Sequence, residues 1–263
     1  MKAMPFDAGQ RAAHPVPAIR RIELTDLTQA LRLGWADFLR RPTHLVFLAF
    51  IYPLAGLAIA FGLTNSDAFP LLFPLVSGFA ILGPVAALGF YEISRREERG
   101  EPTSWRHAFD ALQSPARGAI ARVALALLAL FVLWLVSAKG LFALLAPETG
   151  TSSYLGFLGD LLSTPAGWTL VMVGHIVGFA FAAVAFSLGA ISLPLILDRH
   201  VGAGEAMATS VEAVRANPRI MGTWGLIVAG LVILGSVPLL VGLALVLPVL
   251  GHATWHLYRR AMG

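Results

Sequence analysis

The chain has 263 residues, of which 57% are hydrophobic and only 13% charged, a balance too apolar for an ordinary globular domain and suited to a membrane protein. The absence of cysteine excludes disulfides, thiolate metal sites, iron–sulfur clusters and cysteine nucleophiles. The formal charge of +4 does not point to nucleic acid, because the arginines form no groove-sized patch interleaved with stacking aromatics, and the chain carries no P-loop, GxSxG or HExxH.

Residues 1–23 contain three prolines and no apolar stretch of signal-peptide length, so they read as a disordered cytoplasmic leader. Residues 24–263 read as a single all-α membrane domain. Spanning a hydrocarbon layer takes about 20 apolar residues, and windows of that kind fall at 43–63, 69–91, 118–141, 166–197, 219–236 and 238–258. The fourth is longer than a membrane needs and should tilt, emerge, or kink near Gly189 or Pro194. Gly235, Ser236 and Pro238 supply a turn between the last two.

Six spans with the N-terminus inside place all but Lys139 of the 19 Lys and Arg on one side or at its helix ends. By the positive-inside rule that side is the cytoplasm, with both termini in it and the bacterial inner membrane as the location. The basic surplus then faces anionic lipid head groups.

Ahead of a proline, each cytoplasmic segment is amphipathic. Leu27, Leu31, Trp35 and Phe38 make one stripe; Trp105, Ala108, Phe109 and Leu112 a second; Met207, Val211 and Val214 a third. Such helices are expected to lie flat at the membrane interface, apolar face down. Pro42, Pro115 and Pro218 then start spans, with Ser114 and Asn217 as N-caps. The expected architecture is therefore three hairpins, each preceded by an interfacial helix, in a pseudo-threefold repeat at about 24–91, 103–197 and 204–258. The external segment 142–165 carries Tyr154, Leu155, Leu158, Leu161 and Leu162 at helical spacing, as a short surface helix.

The strings LGPVAALGFYEISRREERGEPTSW (82–105), SLPLILDRHVGAGEAMATSVEAVRANPRIMGTWGLIVAG (192–230) and GHATWHLYRR (251–260) resemble a family of bacterial integral membrane proteins, domain of unknown function 2189. The resemblance extends over nearly all of the chain after the leader. It implies a multi-pass inner-membrane protein and no particular activity.

Candidate sites follow from ionisable residues in apolar surroundings. His252 and His256 are one helical turn apart and could share a metal ion. Beside Trp255, Tyr258, Arg259 and Arg260, however, they read as the aromatic belt and positive anchor of a helix leaving lipid, as do Trp35 and Trp105 on the amphipathic helices. On that reading both imidazoles face water and phosphate, and no metal or other cofactor is expected.

His175 lies near the middle of a span beside Gly174 and Gly178, a small-residue packing face, and suggests an interhelical hydrogen bond or a proton relay. Glu92 should pair at the surface with Arg95 or Arg96, or bind a cation; Asp198 should approach it across the repeat axis. The shortage of buried polar chemistry favours a non-catalytic accessory, assembly or scaffold component associated with other membrane proteins. The alternative is a small transporter or channel with its site between the repeats near His175.

Overall fold

The computed structural model describes residues 18–40, 56–57, 71–146, 154–238 and 241–263; the first expected span, 43–63, lies almost wholly outside the described residues. Among the described residues the regular structure is entirely helical. Four helices among the described residues are long and apolar enough to cross a membrane: Phe73–Glu98, Arg117–Leu145, Pro165–Arg199 and Pro218–Ser236.

The amphipathic helix α1 is Leu24–Arg40. The second expected span is a broken series: α2 (Leu72–Gly78), a 3₁₀ segment Phe79–Leu82, α3 (Gly83–Ala86) and α4 (Leu88–Glu98). It runs seven residues beyond the expected end at 91. A second 3₁₀ segment, Trp105–Gln113, leads to α5 (Arg117–Leu145). The short helix α6 (Tyr154–Ser163) turns back into α7 (Pro165–Gly189). Thr164 begins α7 as an N-cap, its Oγ1 accepting from the Gly167 N–H at 3.0 Å, with Pro165 in the first position.

The long fourth span breaks where expected, giving α8 (Ser192–Arg199) after α7. Pro194 has no N–H for the Ala190 carbonyl, and Gly189 lets the chain close on Pro84, whose Cγ would sit 2.7 Å from a Cβ there. The freed Ile191 N–H is taken by Ser210 Oγ of α9 (Ala203–Ala216) at 3.1 Å. Then come α10 (Pro218–Ser236) and α11 (Leu243–Met262).

Each amphipathic segment buries one face against other parts of the protein. In α1 the buried face is Leu27, Ala30, Gly34, Asp37 and Phe38, a stripe one position off the expected one, while Trp35 stands exposed. That face lies along α11 in the most extensive helix contact among the described residues. The two run antiparallel, Asp26 reaching Arg260 at 3.8 Å near one end and Gly34 meeting Ala253 further along. In α9 the small residues Ala203, Ala206, Ser210 and Ala213 are fully buried, because small side chains let α9 settle closely on α7 and α8, while Met207 and Val214 of the expected stripe pack partly buried against the core.

The middle segment is a 3₁₀ turn, so its face repeats every third residue and Ala108 and Ala111 point inward together. The backbone of Trp105 opens it; the Trp105 side chain lies outside the described part, and so do those of Leu112, Tyr154 and Leu155.

Trp134 of α5 holds the middle of the bundle together. Its Nε1 donates to the Pro74 carbonyl at 2.8 Å, and its ring lies against Gly178, 3.2 Å from where a Cβ would stand. Gly174, the other half of the expected small-residue face, has nothing near its missing Cβ.

Candidate functional site

The ionisable residues of α1, α4, α8 and α11 converge at one end of the bundle, around the GHATWHLYRR stretch. Because α11 turns every 3.6 residues, His252 and His256 share the face that meets α1 and α4. There they join Asp37 of α1 and Ser94 of α4 in one hydrogen-bonded chain. His256 Nε2 lies 2.7 Å from Asp37 Oδ2; Ser94 Oγ donates to the same oxygen at 2.7 Å and lies 2.7 Å from His252 Nδ1. Asp37, Ser94 and His252 are buried. Burial alone pushes the Asp37 carboxyl up, but hydrogen bonds from His256 and Ser94 and the nearby imidazoles outweigh it and hold the group below its ordinary value.

Counting protons assigns the tautomers. An ionised Asp37 can only accept, so the Ser94 hydroxyl proton is committed to it and His256 donates through Nε2. Ser94 Oγ then accepts from His252, which therefore carries its proton on Nδ1. The His252 Nε2 lone pair is left facing inward, buried and without a partner among the described residues, its ring 5.5 Å from that of Phe90. Among the described residues no group of three or more His, Asp or Glu is placed to hold a metal ion.

A second cluster surrounds Glu92, which is buried rather than at the surface. It accepts from both expected partners, Arg95 at 2.7 and 2.8 Å and Arg96 at 2.9 Å, and Arg96 continues to Asp110 at 2.7 Å. No hydrogen bond or ion pair joins Glu92 to Asp198, although Arg95 feels the charge of both.

Asp198 anchors a third cluster. It accepts from Tyr258 Oη at 2.7 Å, Arg199 Nε at 3.1 Å, and Arg99 and Arg259 at 3.3 Å each. Glu98 takes Trp255 Nε1 at 3.0 Å and Arg259 Nε at 2.9 Å.

This overturns the reading of Trp255 and Tyr258 as a lipid-facing belt. Both are almost wholly buried, with ring centroids 5.3 Å apart, because Glu98 and Asp198 offer their polar tips partners inside the protein. Arg259 joins the same network, while Arg260 is half-exposed toward Asp26. Asn217 does stand at the N-cap position of α10, but its side chain makes no capping bond there. Its side chain clamps the segment before α1, accepting from the Ile22 N–H at 3.0 Å and donating to the Arg20 carbonyl at 3.0 Å.

His175 stands apart from these clusters. It is exposed on α7, its Nδ1 lies 2.7 Å from the Val171 carbonyl of its own helix, and its ring rests 5.6 Å from Phe73. Among the described residues no interhelical hydrogen bond is made there.

Asp37 and Ser94 escaped the sequence reading. The signal for Asp37 was present: a carboxylate in the 27, 30, 34, 37, 38 register of an amphipathic helix sits on its apolar side, where burial requires a partner.

Comparison with protein families adds one finding. Residues 72–198 match the family model described as Predicted integral membrane protein (DUF2189). The match covers the LGPVAALGFYEISRREERGEPTSW string and the start of the second, stopping at Asp198, so the resemblance is shown over a narrower stretch than the three strings suggested. No curated protein and no solved structure matches the chain. With four apolar helices of spanning length, the protein is an integral membrane protein. The DUF2189 stretch ends inside the ionic end of the bundle: it includes Ser94, Glu92 and Glu98 but neither Asp37 nor α11.

Proposed function

We propose that the protein is a six-spanning component of the bacterial inner membrane, both ends cytoplasmic, that acts without catalysis as an accessory, assembly or scaffold element of a larger membrane complex. One observation carries this reading: Asp37, Glu92, Glu98 and Asp198 and their basic partners are spent on one another at one end, while the spans offer lipid an apolar surface. Leu125, Val136, Ile176, Phe179, Leu226 and Ile233 are all exposed on those spans. Polar groups within them turn back on their own helices, Ser137 donating to the Leu133 carbonyl, Ser187 to Ala183 and Ser236 to Val232. Helices finished in this way recognise neighbours by shape.

The three-hairpin repeat belongs to the same reading, supported by Pro218 at the start of α10 and Pro115 just before α5. The basic end, with Arg117 and Arg219 exposed at the first turns of α5 and α10, suits anionic lipid head groups. Native mass spectrometry from mild detergent tests the assignment. A stoichiometric complex with a second membrane protein is expected; a homo-oligomer that conducts ions or solutes in liposomes would overturn it in favour of the transporter reading.

A further inference from the structure

We propose that Asp37, Ser94 and His252 form an internal proton-binding site, in which a proton taken up at the His252 imidazole is stored on the Asp37 carboxylate by an exchange of the His252 tautomer. The argument goes beyond the accessory role and does not depend on it.

It rests on two contacts of 2.7 Å that share one hydroxyl, Ser94 to Asp37 and Ser94 to His252. Two such contacts need two protons among three groups, one always on Ser94. With Asp37 ionised the second is on His252 Nδ1, and Nε2 is bare. With Asp37 protonated, the carboxyl donates to Ser94, Ser94 donates to His252 Nδ1, and the imidazole must carry its own proton on Nε2.

Uptake of one proton connects the two states with every atom accounted for. A bond forms from the proton to Nε2; the Nδ1 proton passes to Ser94 Oγ; the former Ser94 proton passes to Asp37 Oδ2. No heavy atom moves, and the site goes from one negative charge to none without leaving an imidazolium cation buried in the protein.

The surroundings favour the ionised carboxylate and so confine uptake to acid pH. His256 of α11 donates to Asp37 Oδ2 in both states, and Arg40 of α1 touches the other carboxylate oxygen at 3.4 Å. From α4 the neighbouring ring is Phe90, and the charges of α8, Asp198 and Arg199, are engaged with each other and with Tyr258 about two turns further along α11.

Nitrogen-15 NMR of the full chain in detergent, labelled at histidine, reads the tautomer directly, and infrared difference spectra read the carboxyl. The expected result is Nδ1–H with bare Nε2 on His252 at neutral pH, inverting to Nε2–H on acidification together with the carbonyl band of a protonated carboxylic acid. Asp37→Asn should abolish that band and the inversion. Ser94→Ala, a smaller change that keeps the charges, should uncouple them so that His252 titrates straight to imidazolium. Nε2–H at neutral pH, an inversion that survives both substitutions, or a metal ion bound at His252 in the purified protein would each overturn the proposal.

Discussion

Gly34 of α1 lies so near Ala253 of α11 that a Cβ on Gly34 would stand 2.8 Å from the Ala253 Cα. The neighbour is backbone, which cannot swing aside. Gly34→Ala therefore sets a helix-propensity gain of about 1 kcal/mol against a clash costing about 1–3 kcal/mol. The clash should win, and a melt of the solubilised protein should show lower stability. A variant as stable as the parent would mean that the helices are further apart than described.

Asp37 links that contact to pH. Its carboxyl is held below its ordinary value in the folded protein, so its contribution to stability is present above the unfolded carboxylate value of about 3.9 and is lost as pH falls through the lower folded value. Stability should fall in that acidic window in the parent and fall less in Asp37→Asn. At neutral pH the variant should be weaker by about 1–3 kcal/mol, the cost of disturbing buried polar partners. Acid titration of the melting midpoint, compared between the two proteins, decides it.

His252→Gln with His256→Gln would be mild if both imidazoles faced water, as GHATWHLYRR suggests when read alone. Hydrogen-bonded as they are to Ser94 and Asp37, the pair should cost well over 1 kcal/mol, with His252 contributing more because it is the buried member. Single and double variants melted side by side give the ranking.

Asn217→Ala removes the acceptor for the Ile22 N–H and the donor to the Arg20 carbonyl. Leaving buried backbone groups unpaired costs about 1–3 kcal/mol. The loss should appear locally, as faster protease cleavage at Arg20 and Arg21 with little change at the far end of the bundle. Uniform acceleration would contradict a clamp.

The six-span orientation is tested by reporter fusions. Those after Asp67, Thr151 and Ser236 should report periplasm, and those after Glu98, Glu205 and the C-terminus cytoplasm. A periplasmic C-terminus would end the six-span proposal.

Where a single helix decides the outcome, the sequence was readable. The apolar runs at 118–141 and 219–236 became α5 and α10 with shifts of a few residues at most, since hydrophobic length needs no partner to be recognised. Gly189 and Pro194 marked a real break for the same local reason. What failed depended on which surface a helix meets. Trp35 and Trp255 both look like interface aromatics, yet one is exposed and the other buried against Glu98, a difference set by residues 157 positions away along the chain. Ser94 carried no local sign of its role at all: its two hydrogen-bond partners lie on α1 and α11.

The antiparallel pairing of α1 with α11 also imposes an order of assembly. The contact between Asp37 and His256 spans 219 residues, so α1 leaves the ribosome long before its partner exists. Until α11 arrives, Asp37 sits in an apolar face without the imidazole that satisfies it, and Gly34 has no backbone to meet. The docking of α1 must therefore close the structure rather than begin it, and a chain stopped before residue 243 should hold its spans while leaving its first helix undocked and open to proteolysis.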